Sequence, residues 1–312
     1  MRVSLTPDVF AEATALRPLL NILNCFTTER HDWAATTEII EAAYGYLERE
    51  ASSMASTIAQ LGEKAIVSSV WGSNSADAVQ VSAEDLEDAA DDLCQPAVLV
   101  VEDQENDGCF VKSVASALGH TRLIDAIDRG WLVIRHAGGE RLELVAKNEL
   151  LTFRRLSRIA ALLDSDRWTP SDRTNNHVKA ERLTALGISV HVLELREAEN
   201  YVPSRILALI GKPAETSKKL EALKSLTPSQ RGYYDMKFGF GPVASPPRIR
   251  AEQTELFSTI DMPTLLRLRG GFGRKVLAAM YENRARLKQS DLAALGVEQE
   301  LEEMLMRIES LV

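Results

Sequence analysis

Four short apolar runs decide what this chain can become: AVLVVED (97–103), WLVIRH (131–136), IAALLDSD (159–166) and ISVHVLEL (188–195). Each is near-continuous in Val, Leu and Ile and lacks the polar alternation of a sheet with one face in water. Each therefore predicts a strand buried on both faces. Between them lie stretches of helical character: FVKSVASALG after the first, a helix near 147–156, and another around 174–186. Strand alternating with helix predicts a mainly parallel sheet over 97 to about 203, an α/β fold with right-handed crossovers and helices on both faces. In such sheets functional groups gather at the carboxyl ends of the strands.

Those ends are acidic. Glu102 and Asp103 follow the first run, His136 with Gly138 and Gly139 the second, Asp164 and Asp166 the third, and Glu197 and Glu199 follow the fourth in LREAENYVP. Moving an ionised carboxylate out of water costs several kcal/mol, so an apolar run normally ends in turn formers. One reading of Asp164-Ser165-Asp166 is an Asx turn. The other is a divalent cation site, because so many acids at neighbouring strand ends repel one another unless one or two Mg²⁺ ions are bound. Asp103, Glu105 and Asp107 read as caps of the following helix. Glu197 reads as a solvated neighbour of Glu199, His136 as structural, and Tyr201 as packing under its loop.

The flanks read differently. From Ala34 to Leu61 the pattern is helical, with Ile40, Leu47, Met54 and Leu61 seven apart and Tyr44, Ala51 and Ile58 completing a heptad-like stripe. IVSSVW (66–71) and AVQVS (78–82) around GSNSAD read as a hairpin, and Ser82 with Asp85 opens an acidic helix over 83–93. ASPPRIR (244–250) marks a break, after which helices surround the basic turn LRLRGGFGRK. The chain thus divides into an N-terminal helical and hairpin region at 1–95, an α/β region at 96–243 and a helical region at 244–312.

Net charge is −9, but residues 1–100 carry 5 Lys/Arg against 16 Asp/Glu, whereas 205–292 carry 16 against 8. A basic C-terminal third suits phosphate binding, and an acidic N-terminal third suits a protein contact. The stripe and acidic helix point to binding another copy of the chain or a partner subunit. Three cysteines, Cys25, Cys94 and Cys109, show no C-x-x-C spacing and read as reduced thiols. No run of 18 apolar residues and no signal-peptide pattern occur, so a cytoplasmic protein without membrane contact is expected.

VVED followed by a helix, then LLDSD, LREAENYVP and YYDMKFGF (233–240), in that order, resembles the Toprim catalytic domain of OLD (overcoming lysogenisation defect) nucleases and related anti-phage defence effectors. The resemblance spans roughly 97–275 and implies a Toprim-like (Rossmann-like) sheet. It implies a nuclease using Mg²⁺ or Mn²⁺, with Glu102 as metal ligand or base, Asp164 and Asp166 as ligands, Glu199 as ligand of a second ion and Lys237 as a transition-state cation. The family's Glu-Gly-x-x-Asp is replaced by Glu102-Asp103-Gln104-Glu105-Asn106-Asp107, which places Asp107 one residue late. Arg154, Arg155, Arg158, Lys218, Lys219, Arg248, Arg250, Arg274 and Lys275 are the expected contacts to a DNA or RNA backbone. No G-x-x-x-x-G-K-[ST] motif occurs, so the ATPase that accompanies such nucleases would be a separate subunit. VLVVEDQENDGCFVKSVASALG also resembles the opening of a phosphoacceptor receiver domain, in which Asp164 would take the phosphoryl group. A third reading is an inert scaffold of the same fold.

Overall fold

The computed structural model describes residues 1–11, 14–71 and 78–312, with the side chains of 68–71 left aside. In the N-terminal part, β1 (Arg2–Leu5) lies between β2 (Asp32–Trp33) and β3 (Val79–Val81), parallel to both. Around it lie α1 (Leu16–Thr27), α2 (Thr37–Glu50), α3 (Ser52–Trp71) and α4 (Leu86–Cys94).

Two sequence expectations are corrected here. The helix read over 34–61 is two helices, broken at Ala51 (φ −155°, ψ 63°). The stripe consequently folds back on itself: Leu47 and Ile58 are fully buried in this region's own core, with Ile40, Met54 and Leu61 packed against it. The hairpin is absent, because Ile66–Trp71 completes α3 while Val79–Val81 pairs in parallel with β1. Packing of Ile58 and Ala65 on one helical face outweighs the strand preference of the β-branched residues that follow. The turn GSNSAD lies outside the described residues.

The four apolar runs form β4 (Ala97–Val101), β5 (Leu132–His136), β6 (Ile159–Leu163) and β7 (Ser189–Val192), a parallel sheet ordered β5-β4-β6-β7. Alternation along β4 and β6 divides the side chains between two cores. Leu99, Val101, Ala160 and Leu162 face one, and Val98, Val100, Ala161 and Leu163 face the other. Both faces are covered, so each of these Val or Leu side chains contributes about 1.5–3 kcal/mol of burial. α5 (Gln104–Leu118) and α6 (Thr121–Asp128) cover the first face, and α7 (Leu142–Leu150) and α8 (Asn175–Thr184) the second. α6 is an element the sequence reading leaves as connection.

α7 ends earlier than the predicted 147–156. The N–H groups of Arg154, Arg155 and Leu156 donate instead to the Asp92 carboxylate at 2.7–3.2 Å, which holds the chain out of the helical ladder. Beyond β7 come α9 (Ser204–Leu207), α10 (Pro213–Lys224), α11 (Pro228–Tyr233), α12 (Met262–Arg267), α13 (Val276–Glu282), α14 (Gln289–Ala293) and α15 (Glu298–Glu309). Leu277, Met280, Met304, Leu305 and Ile308 join the same buried cluster as Leu99 and Phe110, so the residues after 244 complete the α/β core. Among the described residues no helix is long and apolar enough to cross a membrane.

The strand order places the site. The crossover from β4 leads one way, to β5, and that from β6 leads the other way, to β7, so the connections diverge above the β4/β6 pair. A crevice opens at such a switch point, outside the carboxyl ends of the two strands. Glu102 follows β4 there, and Asp164 follows β6.

Candidate metal centre at the strand ends

β6 ends at Leu163, and the next three residues turn their side chains by an unusual route. Ser165 is buried and its hydroxyl donates to the Leu195 carbonyl at 2.6 Å, fastening this strand end to the next. Asp166 then takes a left-handed backbone, φ 54°, a conformation that Asp and Asn adopt more readily than other side chains. The Asp166 N–H donates to the Arg196 carbonyl at 3.0 Å. The Asn176 amide, at the start of α8, donates to both the Asp164 carbonyl and Asp166 Oδ2 at 2.9 Å. Asp164 Oδ1 accepts the Ala198 N–H at 3.0 Å, which ties LDSD to the AENY segment. The two aspartates therefore sit in a built corner and not in an isolated Asx turn.

The AENY segment is a 3-10 turn, Ala198–Tyr201, and all four of its residues are buried. Tyr201 holds it down from below: its hydroxyl donates to Glu300 of α15 at 2.7 Å and accepts the Leu195 N–H at 2.9 Å. This anchoring lifts Glu197 and Glu199 toward Lys237, whose Nζ lies 3.3 Å from Glu197 Oε2 and 3.2 Å from Glu199 Oε1. Glu197, expected as a solvated neighbour, is instead buried and also pairs with Arg196 at 3.1 Å. Two arginine or lysine partners draw it inward where one isolated carboxylate would stay in water.

Lys237 itself is positioned by its neighbours' backbone. Asp235 Oδ1 accepts the N–H groups of Lys237 and Phe238 at 3.1 and 2.7 Å. The RGGFGRK stretch, read as a basic turn between helices, packs directly behind this loop: Phe272 N–H donates to the Met236 carbonyl at 2.7 Å. Gly271 has φ 53°, and a Cβ there would meet the Met236 and Lys237 backbone at 2.6–2.7 Å. The approach needs glycine on both counts.

Electrostatically the cluster is acid-rich and self-repelling. Burial, then Asp107, Glu199 and Glu197, raise the Asp164 carboxyl well above its ordinary value, with Lys237 opposing. Glu199 is raised by burial against the pull of Lys237. Glu102 at the mouth is raised by partial desolvation and by Asp166, and Asp166 by desolvation and Glu197. Asp107, read as a cap, accepts the Asp103 N–H at 2.9 Å, but burial and the acids around it push its carboxyl up to about 7. Burial lowers the Lys237 ammonium, yet Glu199, Glu197 and Asp164 together hold it above its usual value, so it stays charged. Asp103 caps α5 as expected, its Oδ1 accepting the Glu105 and Asn106 N–H groups at 3.0 and 3.3 Å.

Among the described residues no three His, Cys, Asp or Glu side chains already converge on a metal position. The donor chemistry nonetheless fits a hard divalent cation. Every candidate ligand is a carboxylate oxygen, and their mutual repulsion calls for a positive charge. Lys237 supplies part of that charge in this arrangement.

The expected nucleic-acid contacts separate into two groups. Arg154, Arg155 and Arg158 precede β6 and so lie at the amino end of the sheet, opposite the acids. Arg154 pairs with Asp88 and Asp91, and Arg155 with Asp85, all on or beside α4. Arg158 is fully buried and donates to the carbonyls of Asp92, Leu93, Gln95 and Leu311 at 2.8–3.1 Å. It is a structural tie with no surface for a phosphate. Lys219 donates to the Gly271 carbonyl, supporting the glycine turn. Lys218, Arg248, Arg250, Arg274 and Lys275 are exposed.

Three site residues escaped the sequence reading: Asn176, Lys179 and Asp235. Lys179 Nζ donates to the Gly139 carbonyl at 2.7 Å and to Asn176 Oδ1 at 3.0 Å, bridging two strand ends. The i, i+3 spacing of Asn176 and Lys179 in the first turns of a helix following Asp-x-Asp is the signal that marks them. Compared with protein-family profiles, curated proteins and solved structures, the chain gives no match.

Proposed function

We propose that the strand-end cluster is the centre of a metal-dependent phosphodiester hydrolase acting on nucleic acid. One observation carries it: a charged lysine, Lys237, seated among the acids Glu197, Glu199 and Asp164 at the sheet's switch point, with Glu102 and Asp166 exposed at the mouth. A buried acid cluster suits divalent cations, and those cations, together with the embedded ammonium, would suit a polyanionic substrate. Asp164, Asp166 and Glu102 would hold one Mg²⁺ or Mn²⁺, and Glu199 a second. Such ions polarise a phosphoryl oxygen and lower the pKa of water.

The chain's own groups have separable tasks. Glu102 would serve as the third ligand or, through an oxygen left free of the ion, as the base that takes the proton of an attacking water. Lys237 Nζ neutralises charge developing on a non-bridging phosphate oxygen. Asn176 and Ala198 N–H fix the aspartate rotamers, and Lys179 fastens the Gly139 loop beside Glu102. The close approach needs glycine, since a Cβ at Gly139 would lie 2.9 Å from Glu102 Oε1. The motif resemblance extends the reading to an anti-phage effector served by a separate ATPase subunit.

The test uses supercoiled plasmid, linear duplex, single-stranded DNA and RNA, each with Mg²⁺, Mn²⁺ or EDTA. Cleavage is expected with either metal and none in EDTA. Lys237→Met and Asp164→Asn should each lower the rate by roughly 100-fold or more, the scale of losing one transition-state contact. Undiminished cleavage by both variants, or none by the parent with any substrate and metal, would sink the reading.

A further inference from the structure

Beside the acids lies a second feature with its own chemistry: a cavity of about 500 Å³ lined by Trp168, Asp235, Phe238, Phe240, Arg248 and Arg250 among others. Its walls are continuous with the site. Trp168 comes two residues after Asp166, and Asp235 and Phe238 bracket Lys237. The Trp168 ring is held by the guanidinium groups of Arg196 and Arg250, 3.3 and 3.8 Å from its centroid. Gln253 fastens this wall by donating to the Trp168 and Tyr233 carbonyls at 3.0 and 2.8 Å.

The same lining carries a part-exposed aromatic ring. Phe238 is 50% exposed, and the Arg274 guanidinium lies 5.1 Å from its ring centroid. Arg248 and Arg250 flank Ile249, which packs against the core, and both arginines are exposed, Arg250 with its guanidinium over the Trp168 ring. The Arg248 N–H donates to the Phe240 carbonyl at 2.8 Å, fixing that edge. The result is a part-exposed aromatic ring flanked by Arg248, Arg250 and Arg274, with the acids Asp235 and Glu252 in the same lining. Aromatic surface for a base and arginines for its phosphates are the two parts of a single-strand binding site. A base within a duplex is stacked on both faces and reaches such a cavity only after extrusion, at an energetic cost.

We infer that this cavity takes the base of an unpaired nucleotide stacked on Phe238, with flanking phosphates on Arg248, Arg250 and Arg274, so that the strand reaches the acids single-stranded. The role assigned to the acids rests on the phosphodiesterase reading; the binding preference does not. The experiment is therefore binding first, in EDTA, where nothing is cut. Anisotropy of labelled oligo(dT), oligo(U) and a duplex of equal length is measured over a salt series.

Either single strand should bind at least tenfold more tightly than the duplex. Phe238→Ala should weaken single-strand binding about tenfold, and Phe238→Trp should restore it; both variants should fold, since half of this side chain faces water. The double change Arg248→Ala with Arg250→Ala should reduce the log–log salt slope by about 1.4, two phosphate contacts on a single strand. Equal affinity for duplex and single strand, or parent-like binding by Phe238→Ala, overturns the inference. A parallel cleavage assay in Mn²⁺ separates the two ideas. Cleavage without single-strand preference overturns only the inference, whereas single-strand preference without any cleavage supports it and overturns the phosphodiesterase.

Discussion

Asp166 is one of two non-glycine residues with positive φ among the described residues, and this makes Asp166→Asn an unusually clean substitution. Asn tolerates the same backbone, and its carbonyl oxygen can still accept from Asn176. Only a charge is removed, from a cluster whose acids raise one another's pKa. In EDTA the variant should melt no lower than the parent. Mn²⁺ should stabilise the parent by linkage, about 2.7 kcal/mol at one hundred times Kd, and the variant much less. Equal melting shifts in both proteins would remove Asp166 from the metal site. At this scale Glu102, Asp164, Asp166 and Glu199 were legible because acids at the ends of apolar runs are costly without a purpose. Lys237 became legible through the motif order. Glu197 was not, since its burial depends on Lys237 reaching it from a distant segment. The position of Arg158 could have been read: residues just before a strand lie at the end of the sheet opposite its acids.

Among elements, the glycine turn at 270–273 is the clearest case of structure acting on the site at one remove. Gly271→Ala would place a Cβ against the Lys237 backbone and strain a left-handed residue, at about 1–2 kcal/mol for the backbone alone. The Lys237 loop is the softer side of that contact. Melting temperature should therefore fall by a few degrees while cleavage falls at least tenfold; activity reduced only in proportion to folded protein would show that the turn does not position Lys237. The strands of the larger sheet and helices α5 and α8 were plain in the sequence, because a fully buried parallel sheet writes continuous apolar runs. The N-terminal sheet was not. β1 is four residues long and pairs with Val79–Val81, some 75 positions away, so no local pattern announces it. The β-branched residues at the end of α3 were misleading for the complementary reason: tertiary packing set their conformation.

Across the whole molecule, α15 and the residues after it are the common fastening. Glu300 accepts from Tyr201 and from the Glu194 N–H, the Leu311 carbonyl accepts from Arg158, and Glu302 and Glu309 hold His120 at the start of α6. Burial lowers the His120 imidazolium, but its hydrogen bonds to Glu309 and Glu302 outweigh this and leave the pKa above 6.5. Its stabilisation is therefore complete below pH 6.5 and is lost as pH rises through the higher folded-state value. His120→Gln should cost about 1–2 kcal/mol near pH 5.5, discounted for the exposure of Glu302, or roughly 2–4 °C in melting temperature. The gap should close by about pH 9, beyond the usual reach of histidine titration; a gap independent of pH would assign His120 to packing alone. The same fastening has a consequence in time. During synthesis the acids and Lys237 leave the ribosome before residues 298–312 do, so Tyr201 at first has no Glu300 to hold the AENY turn in place. A nascent chain therefore carries every group of the candidate centre before α15 has docked to anchor the segment that bears Glu197 and Glu199.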